Sequence, residues 1–168
     1  MNSLLVTYIL QTEKWTSPEL FETKNRIYTF LNPVSYLIAL ENKSLFEQFD
    51  GIFADGSLLV SAIRLVYGKR VTRRSFDMTS LAPELLNYLM ESRKTLYIVA
   101  SGQEQVECSV RIFQEQYPEL RIAGFRNGYF SSDAEMNKEA SHIVELNPDF
   151  LIVGMGALMQ EKFLLKVK

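Results

Sequence analysis

The chain has 168 residues, of which 47% are hydrophobic and 23% are charged, values typical of an ordinary soluble globular protein. Its formal net charge of −2 argues against a basic nucleic-acid-binding surface, so no nucleic-acid partner is expected. A single cysteine, Cys108, excludes an intramolecular disulfide, and with one histidine, His142, the chain offers too few ligands for a zinc site. Neither a secretory leader pattern nor an apolar run of about 20 residues is found, so a cytoplasmic protein is expected.

Apolar runs separated by turn residues predict an alternation of strands and helices. Strands are predicted at residues 26–31, 51–54, 95–100, 120–124 and 150–153. Helices are predicted at residues 34–49, 58–67, 81–90, 103–116, 134–146 and 158–167. The N-terminal part is less regular: residues 4–10 are interpreted as an outer strand or a docking tail, and Thr16-Ser17-Pro18-Glu19 resembles a helix start.

Strands that alternate with helices are typical of βαβ units. We therefore predict an α/β fold, a single Rossmann-like domain over residues 1–168 with a mostly parallel sheet and helices on both faces. Residues 1 to about 25 form an N-terminal element whose structure the pattern leaves open. The chain reaches Lys168 inside an apolar helical pattern without a cap, which predicts that a C-terminal segment is missing.

Two Asp-Gly pairs flank the short predicted strand at residues 51–54. Asp50 lies at its entry and Asp55 at its exit. Ligands of open α/β sheets bind outside the carboxyl ends of the strands, so Asp55 is predicted to take part in chemistry and Asp50 to be a turn residue. The alternative for Asp55 is that it caps the helix that starts near Ser57.

Several other predicted strands also end in small or polar residues, where backbone N–H groups and helix dipoles hold phosphates. These strand ends are Asn32, Asp55-Gly56, Ser101-Gly102 and Gly154-Met155-Gly156. Together they favour a nucleotide-like ligand. The chain contains neither Gly-x-Gly-x-x-Gly nor a P-loop motif, which argues against an ordinary dinucleotide site.

No Asp-x-Asp pair occurs, so neither a metal nor a cofactor is predicted, and cations would have to stabilise a diphosphate. Arg73 and Arg74, near Asp77, are candidates for that role, and the alternative is a solvated basic loop. For the remaining candidates, Tyr129 could be a core or loop anchor, and Gln160-Glu161 could be exposed helix residues.

Short motifs occur in a fixed order along most of the chain. They are Asn32, Asp55-Gly56, Arg73-Arg74-Ser75-Phe76-Asp77, Gly102, Tyr117-Pro118, Gly128-Tyr129-Phe130, Pro148-Asp149, Val153-Gly154-Met155-Gly156 and Gln160-Glu161. In this order and spacing, the chain resembles the WecG/TagA/CpsF family of bacterial glycosyltransferases from about Tyr28 to its end. It departs from the family pattern at Phe30, where Thr is usual, and at Leu158 and Met159, which replace Pro and Lys.

The resemblance implies an inverting, metal-independent transfer of a sugar from a UDP-sugar to a polyprenyl-diphosphate-linked saccharide in cell-surface polysaccharide biosynthesis. It implies that Asp55 is the general base and that Arg74 offsets charge on the leaving UDP, with Arg70 and Arg73 as alternatives for this arginine. Gln160 and Asn32 would orient the sugars. The further substrate-binding residues that it implies are Gly56, Arg73, Asp77, Ser101, Gly102, Gly128, Tyr129, Gly154, Met155, Gly156 and Glu161.

Members of the family continue with a C-terminal segment that is associated with membrane attachment and contributes active-site arginines. The resemblance therefore implies a cytoplasmic enzyme, peripheral at the inner face of the cell membrane through that segment, and a weakly active or inactive chain without it. An apolar edge left uncovered predicts a possible homo-oligomer. The alternative functions are a non-catalytic nucleotide-sugar-binding or regulatory module and, disfavoured by the missing glycine fingerprint, a nucleotide-dependent oxidoreductase.

Overall fold

Parallel strands flanked by helices make up the computed structural model, which describes residues 4–168. The strands are β1 (Tyr28–Leu31), β2 (Gly51–Ala54), β3 (Thr95–Ala100), β4 (Arg121–Arg126) and β5 (Phe150–Gly154). The helices are α1 (Leu4–Thr12), α2 (Ser17–Glu22), α3 (Pro33–Glu41), α4 (Lys43–Phe46), α5 (Ser57–Tyr67), α6 (Leu81–Glu91), α7 (Gln103–Gln116), α8 (Asp133–Leu146) and α9 (Met159–Val167). The predicted α/β class is confirmed.

The chain divides into two compact units, one ending at Glu84 and the other running from Leu85 to Lys168. Each unit has its own parallel sheet, so the strands that were expected in one sheet are distributed over two. That residues 1–168 form one domain stays a prediction. In the part of the chain that the structure describes, no helix has the length and apolar character needed to cross a membrane.

The sheet of the first unit consists of β1 and β2, with Leu31 paired to Ala54 at its carboxyl end. All four residues of β2 are buried. Gly51 begins this strand in a crowded position, because a Cβ atom there would lie 2.8 Å from the Tyr28 ring and 2.9 Å from the Trp15 ring. Glycine therefore allows aromatic side chains to close over the start of β2.

Of the two alternatives for residues 4–10, the outer strand is wrong, because this segment is helix α1, which docks on β2. Its buried residues are Leu5, Val6, Ile9 and Thr12, whose spacing places them on one helical face. The Thr12 hydroxyl lies 2.8 Å from the carbonyl oxygen of Ile9 and 3.1 Å from that of Ile52, which ties the helix end to β2. A short, uninterrupted apolar run fits a buried strand or a buried helix equally well, so periodicity could not separate the two.

The helix that was predicted over residues 34–49 is interrupted. α3 ends at Glu41, and Asn42 separates it from the single turn α4. The Asn42 side chain donates a hydrogen bond from Nδ2 to the Ile38 carbonyl oxygen at 2.9 Å, which satisfies an acceptor at the end of α3. The residues after this break lead into β2, which begins at Gly51.

The sheet of the second unit has the order β4-β3-β5, with β3 in the centre. Tyr97 and Val99 point from one face of β3 into a core that includes Ile143 from α8 and Phe163 from α9. These helices therefore cover one face of the sheet, and the carboxyl ends of β3 and β5 meet at Ala100 and Gly154. The bounds predicted for β3 and α7 are confirmed without change.

Replacement of Ile9 by Ala tests the docking of α1. Ile9 is completely buried, so the loss of its side chain should lower the free energy of unfolding by about 2–5 kcal/mol in urea denaturation. Leu4→Ala is the matched control, since Leu4 lies on the same helix but is 41% exposed. Equal stability of the two variants would contradict the packing described for α1.

Candidate functional site

The basic segment that follows α5 is fixed at the carboxyl end of β2. The Asp55 backbone N–H donates to the Leu31 carbonyl oxygen at 2.8 Å, which extends the pairing of β1 and β2 by one residue. The Arg74 N–H donates to the Ala54 carbonyl oxygen at 2.9 Å on the same strand. Asp55 and Arg74 are thereby held at the edge of the sheet where ligands of parallel sheets bind.

The Asp55 side chain is about one-third exposed, with 32% of its surface accessible. Its Oδ1 lies 3.8 Å from Nη2 of Arg73. The N-cap residue of α5 is Gly56, and no side chain caps this helix, so the interpretation of Asp55 as a helix cap is wrong. Gly56 has φ 85°, a left-handed conformation that glycine adopts without strain, and it turns the chain from β2 into α5.

Arg73 is held by a second carboxylate as well. Its Nη2 donates to Asp77 Oδ2 at 3.0 Å and to Ser75 Oγ at 2.8 Å. Asp77 also accepts hydrogen bonds from the Ser75 hydroxyl and from the N–H and hydroxyl of Thr79. These bonds, chiefly those from Ser75 and Thr79, hold the pKa of Asp77 far below its usual range. Asp77 is therefore a fixed anion that orients Arg73 beside Asp55.

Arg74 lies in a different environment. Its guanidinium group sits over the Phe53 ring at 5.7 Å, and its Nη1 donates to the Thr12 carbonyl oxygen at 3.4 Å. Arg70 is exposed. Of the three arginines that the sequence left as alternatives, Arg73 is the one whose guanidinium group lies next to Asp55 in the structure.

Asn32 follows β1 and caps α3. Its Oδ1 accepts hydrogen bonds from the N–H groups of Val34 and Ser35, each at 3.0 Å. The Ser35 hydroxyl oxygen in turn accepts the Asn32 N–H at 2.8 Å. The side-chain oxygen Oδ1 of Asn32 thus caps the start of α3. The predicted role of Asn32 in orienting a sugar stays a prediction.

In the second unit, the carboxyl ends of β3 and β5 and the turn after β4 meet. The Ser101 N–H donates to the Gly154 carbonyl oxygen at 3.0 Å, and the Gly128 N–H donates to the Ser101 carbonyl oxygen at 2.8 Å. A Cβ atom on Gly128 would lie 2.9 Å from Cγ of Met155, so a larger residue would not fit without displacement. The structure therefore brings four predicted site residues together: Ser101, Gly128, Gly154 and Met155.

Two predicted glycines begin turns at this edge. Gly102 is the N-cap residue of α7, and no side chain caps that helix. Gly156 has φ 86°, and its carbonyl oxygen accepts the Gln160 N–H at 3.1 Å near the start of α9. Tyr129 projects outward with 75% of its surface exposed, so its interpretation as a core anchor is wrong.

The interpretation of Glu161 as an exposed helix residue is wrong, because its side chain is completely buried. Its Oε2 accepts the Leu158 N–H at 2.7 Å, and its Oε1 accepts from Nε2 of the half-buried Gln160 at 3.0 Å. Leu158 has φ 73°, which is costly for a residue with a branched side chain. Glu161 therefore stabilises a strained turn and orients the Gln160 amide.

Sequence reasoning missed an ion pair that fixes the turn after β4. Arg126 Nη2 lies 2.9 Å from Glu135 Oε1 and donates to the Tyr129 carbonyl oxygen at 3.2 Å. Its guanidinium carbon lies 3.9 Å from the centre of the Phe130 ring. Hydrogen bonds from Ser131 and then from Arg126 lower the pKa of Glu135 to about 2. No motif signals this pair, because its members lie nine residues apart in different elements.

Comparison with known proteins assigns the family. The glycosyl transferase WecG/TagA/CpsF family model matches residues 9–168, and the chain belongs to this family. The predicted membership is thus confirmed over nearly the whole length of the chain.

Three curated relatives are similar to this chain. A UDP-Gal:alpha-D-GlcNAc-diphosphoundecaprenol beta-1,4-galactosyltransferase of Shigella boydii is 31% identical over 142 residues, 84% of this chain and 59% of that protein. An N-acetylglucosaminyldiphosphoundecaprenol N-acetyl-beta-D-mannosaminyltransferase of Bacillus subtilis is 24% identical and covers 98% of this chain and 62% of that protein. A Staphylococcus aureus protein of the same description is 25% identical, with 85% and 56% covered. The chain therefore spans roughly three fifths of the length of these relatives.

The depressed pKa of Glu135 makes stability depend on pH. Because its pKa falls from 4.5 to about 2 on folding, its contribution is fully present above about pH 5 and is lost as the pH falls toward 2. We expect the free energy of unfolding of the wild type to fall more steeply across this window than that of Glu135→Gln. Glu145→Gln, an exposed change on the same helix, is the control and should keep the wild-type slope. Identical slopes for wild type and Glu135→Gln would contradict this assignment.

Proposed function

We propose that the chain carries the catalytic region of an inverting, metal-independent glycosyltransferase that moves a sugar from a UDP-sugar to a polyprenyl-diphosphate-linked saccharide. The observation that carries the proposal is the partly exposed Asp55 carboxylate, 3.8 Å from Arg73 at the carboxyl end of β2. A carboxylate and a cation at one sheet edge supply the two charges that sugar transfer from a nucleotide diphosphate needs. The names of the relatives support a diphosphoundecaprenol-linked acceptor, and one names a UDP-sugar donor.

In the proposed reaction, the Asp55 carboxylate removes the proton from the acceptor hydroxyl as its oxygen attacks the anomeric carbon. The bond from that carbon to the UDP oxygen breaks, and UDP leaves with the electron pair. A single displacement of this kind inverts the anomeric centre. Asp55 suits the role of base because it is accessible and makes no helix-cap hydrogen bond that would occupy its oxygens.

We assign to Arg73 the charge-stabilising role that the sequence analysis gave first to Arg74. Arg73 is 43% exposed at the sheet edge, whereas Arg74 is directed at Phe53 and Thr12. Asp77 binds Arg73 at 3.0 Å, closer than Asp55, and so orients the guanidinium group without a direct hydrogen bond to the proposed base. Asp77 is then a positioning residue rather than a ligand for the substrate.

The residues assembled in the second unit are proposed to bind the nucleotide. Gly102 leaves backbone N–H groups at the start of α7 without a side-chain cap, which suits a diphosphate, and Gly156, with φ 86°, turns the chain before α9. Gln160 is proposed to orient a sugar, held by its hydrogen bond to Glu161. Metal independence is supported by the sequence, in which no Asp-x-Asp pair occurs.

A location at the inner face of the cell membrane belongs to the same proposal, since the named acceptor of the relatives is linked to a polyprenol. A non-catalytic binding module is the second candidate. It is favoured by Phe30, which stacks on Phe53 at 5.1 Å where the family usually has a threonine.

Replacement of Asp55 by Asn tests the general base. In the full-length protein, Asp55→Asn should lower the rate of sugar transfer by about 10²- to 10⁴-fold while the affinity for UDP stays unchanged. Asp50→Asn is the matched control at the other Asp-Gly pair. The Asp50 Oδ2 accepts the Ile27 N–H at 2.9 Å, and an asparagine oxygen can keep that bond, so transfer should persist. Normal turnover by Asp55→Asn would rule out the assigned base.

A pair of arginine variants separates the two candidate cations. Arg73→Gln should reduce transfer by about 10²-fold or more and leave stability unchanged, because its side chain is exposed at the sheet edge. Arg74→Gln should instead lower the free energy of unfolding by about 1 kcal/mol through loss of its contact with Phe53. Rates measured with a lipid-linked acceptor and urea denaturation distinguish them. If Arg74→Gln instead reduced transfer and Arg73→Gln did not, the charge-stabilising role would belong to Arg74.

A further inference from the structure

Helix α5 presents an apolar stripe that stays exposed within the part of the chain that the structure describes. Leu58, Leu65 and Val66 are 69%, 87% and 70% exposed, although Leu59 and Ile63 on the other side of the helix are buried. Residues 58, 62 and 65 fall on one face of a helix with 3.6 residues per turn. Exposed aliphatic side chains that are neighbours on one helix make this face a candidate interaction surface.

The same segment is strongly basic. Between Gly56 and Phe76 the sequence has five cations, no aspartate and no glutamate, although the whole chain has a net charge of −2. Arg64, Lys69 and Arg70, within α5 and directly after it, are exposed. Arg73 is paired with Asp77 and Asp55, whereas none of Arg64, Lys69 and Arg70 forms an ion pair among the described residues. An apolar stripe flanked by unpaired cations is complementary to a surface of negative charge above an apolar layer.

We propose that α5 and the residues to Arg70 lie against the surface of an anionic lipid bilayer. The side chains of Leu58, Leu65 and Val66 would enter the boundary between headgroups and acyl chains, and Lys69 and Arg70 would contact the anionic headgroups. A second copy of the chain is a poorer occupant. Isologous packing of α5 on itself would bring like cations together, with no acid on either helix to pair with them.

The position of α5 connects this surface to the candidate site. The helix starts two residues after Asp55, at the carboxyl end of β2. Val34, at the start of α3 after the neighbouring strand, is also exposed at 68%. Because Leu31 and Ala54 are paired, both helix starts lie at one edge of the sheet. Docking of α5 would hold Asp55 near the bilayer surface, where the diphosphate of a lipid-linked acceptor lies. This consequence rests on the proposed function, whereas the docking itself does not.

Co-sedimentation with lipid vesicles tests the proposal with the 168-residue chain. We expect binding to vesicles of phosphatidylcholine containing phosphatidylglycerol, weaker binding to pure phosphatidylcholine, and a decrease with added salt. Leu65→Gln/Val66→Gln should weaken binding by about tenfold, because two aliphatic side chains lose their burial in lipid. Lys69→Gln/Arg70→Gln should weaken it by about tenfold at low salt.

The control is Ile112→Gln, which removes an exposed aliphatic side chain from α7 and should bind vesicles as the wild type does. Unchanged melting temperatures show that each variant folds. Failure of the wild type to bind anionic vesicles, or equal binding by Leu65→Gln/Val66→Gln, would overturn the proposal. A dimer of the wild type in light scattering would also overturn it, if Leu65→Gln/Val66→Gln dissociates that dimer and anionic vesicles do not. The two proposals can fail separately. If the wild type binds vesicles and the Asp55→Asn variant still transfers sugar, the docking of α5 stands and only the proposed base is refuted.

Discussion

The parallel pairing of β1 with β2 is the constraint on which the candidate site depends. It buries every residue of β2 and, through the hydrogen bond from the Asp55 N–H to the Leu31 carbonyl oxygen, fixes the backbone at the point where the strand ends. The Arg74 N–H attaches the basic segment to Ala54 of the same strand. Arg73 is thereby held 3.8 Å from Asp55, although the two are 18 positions apart in the sequence.

The two Asp-Gly pairs around β2 show how strand direction separates residues of the same type. At the entry, the Asp50 carboxylate accepts the Ile27 N–H, and Gly51 gives room to the rings of Trp15 and Tyr28. At the exit, Asp55 is partly exposed beside a cation, and its glycine is required for a positive φ. The first pair therefore serves packing, and the second turns the chain into α5 and presents a carboxylate to solvent.

Much of the fold could be predicted from the sequence, because β3 and the strands around it are compact apolar runs that end in turn residues. The same reasoning failed for α1, whose uninterrupted apolar run carries no period that distinguishes helix from strand. It also missed the interruption at Asn42, which depends on a side-chain hydrogen bond within the turn.

The sequence could predict the positions of candidate site residues that depend on the direction of a strand. It could not predict those that depend on the direction of a side chain. Asp55 follows from strand polarity alone. The choice between Arg73 and Arg74 depends on which of two adjacent side chains turns toward Phe53, and spacing does not encode this. Leu158 is a further example, because the residue type does not signal its φ of 73°.

The central claim is that the ends of the parallel strands bind a nucleotide diphosphate. The most direct measurement is a titration of the 15N-labelled chain with UDP, without added metal, followed by amide chemical shifts. We expect saturable shifts at Gly102, Gly128 and Gly156 in the second unit, with little change at Thr95, where β3 begins. Saturable shifts confined to other parts of the chain, or no shifts at millimolar UDP, would contradict it.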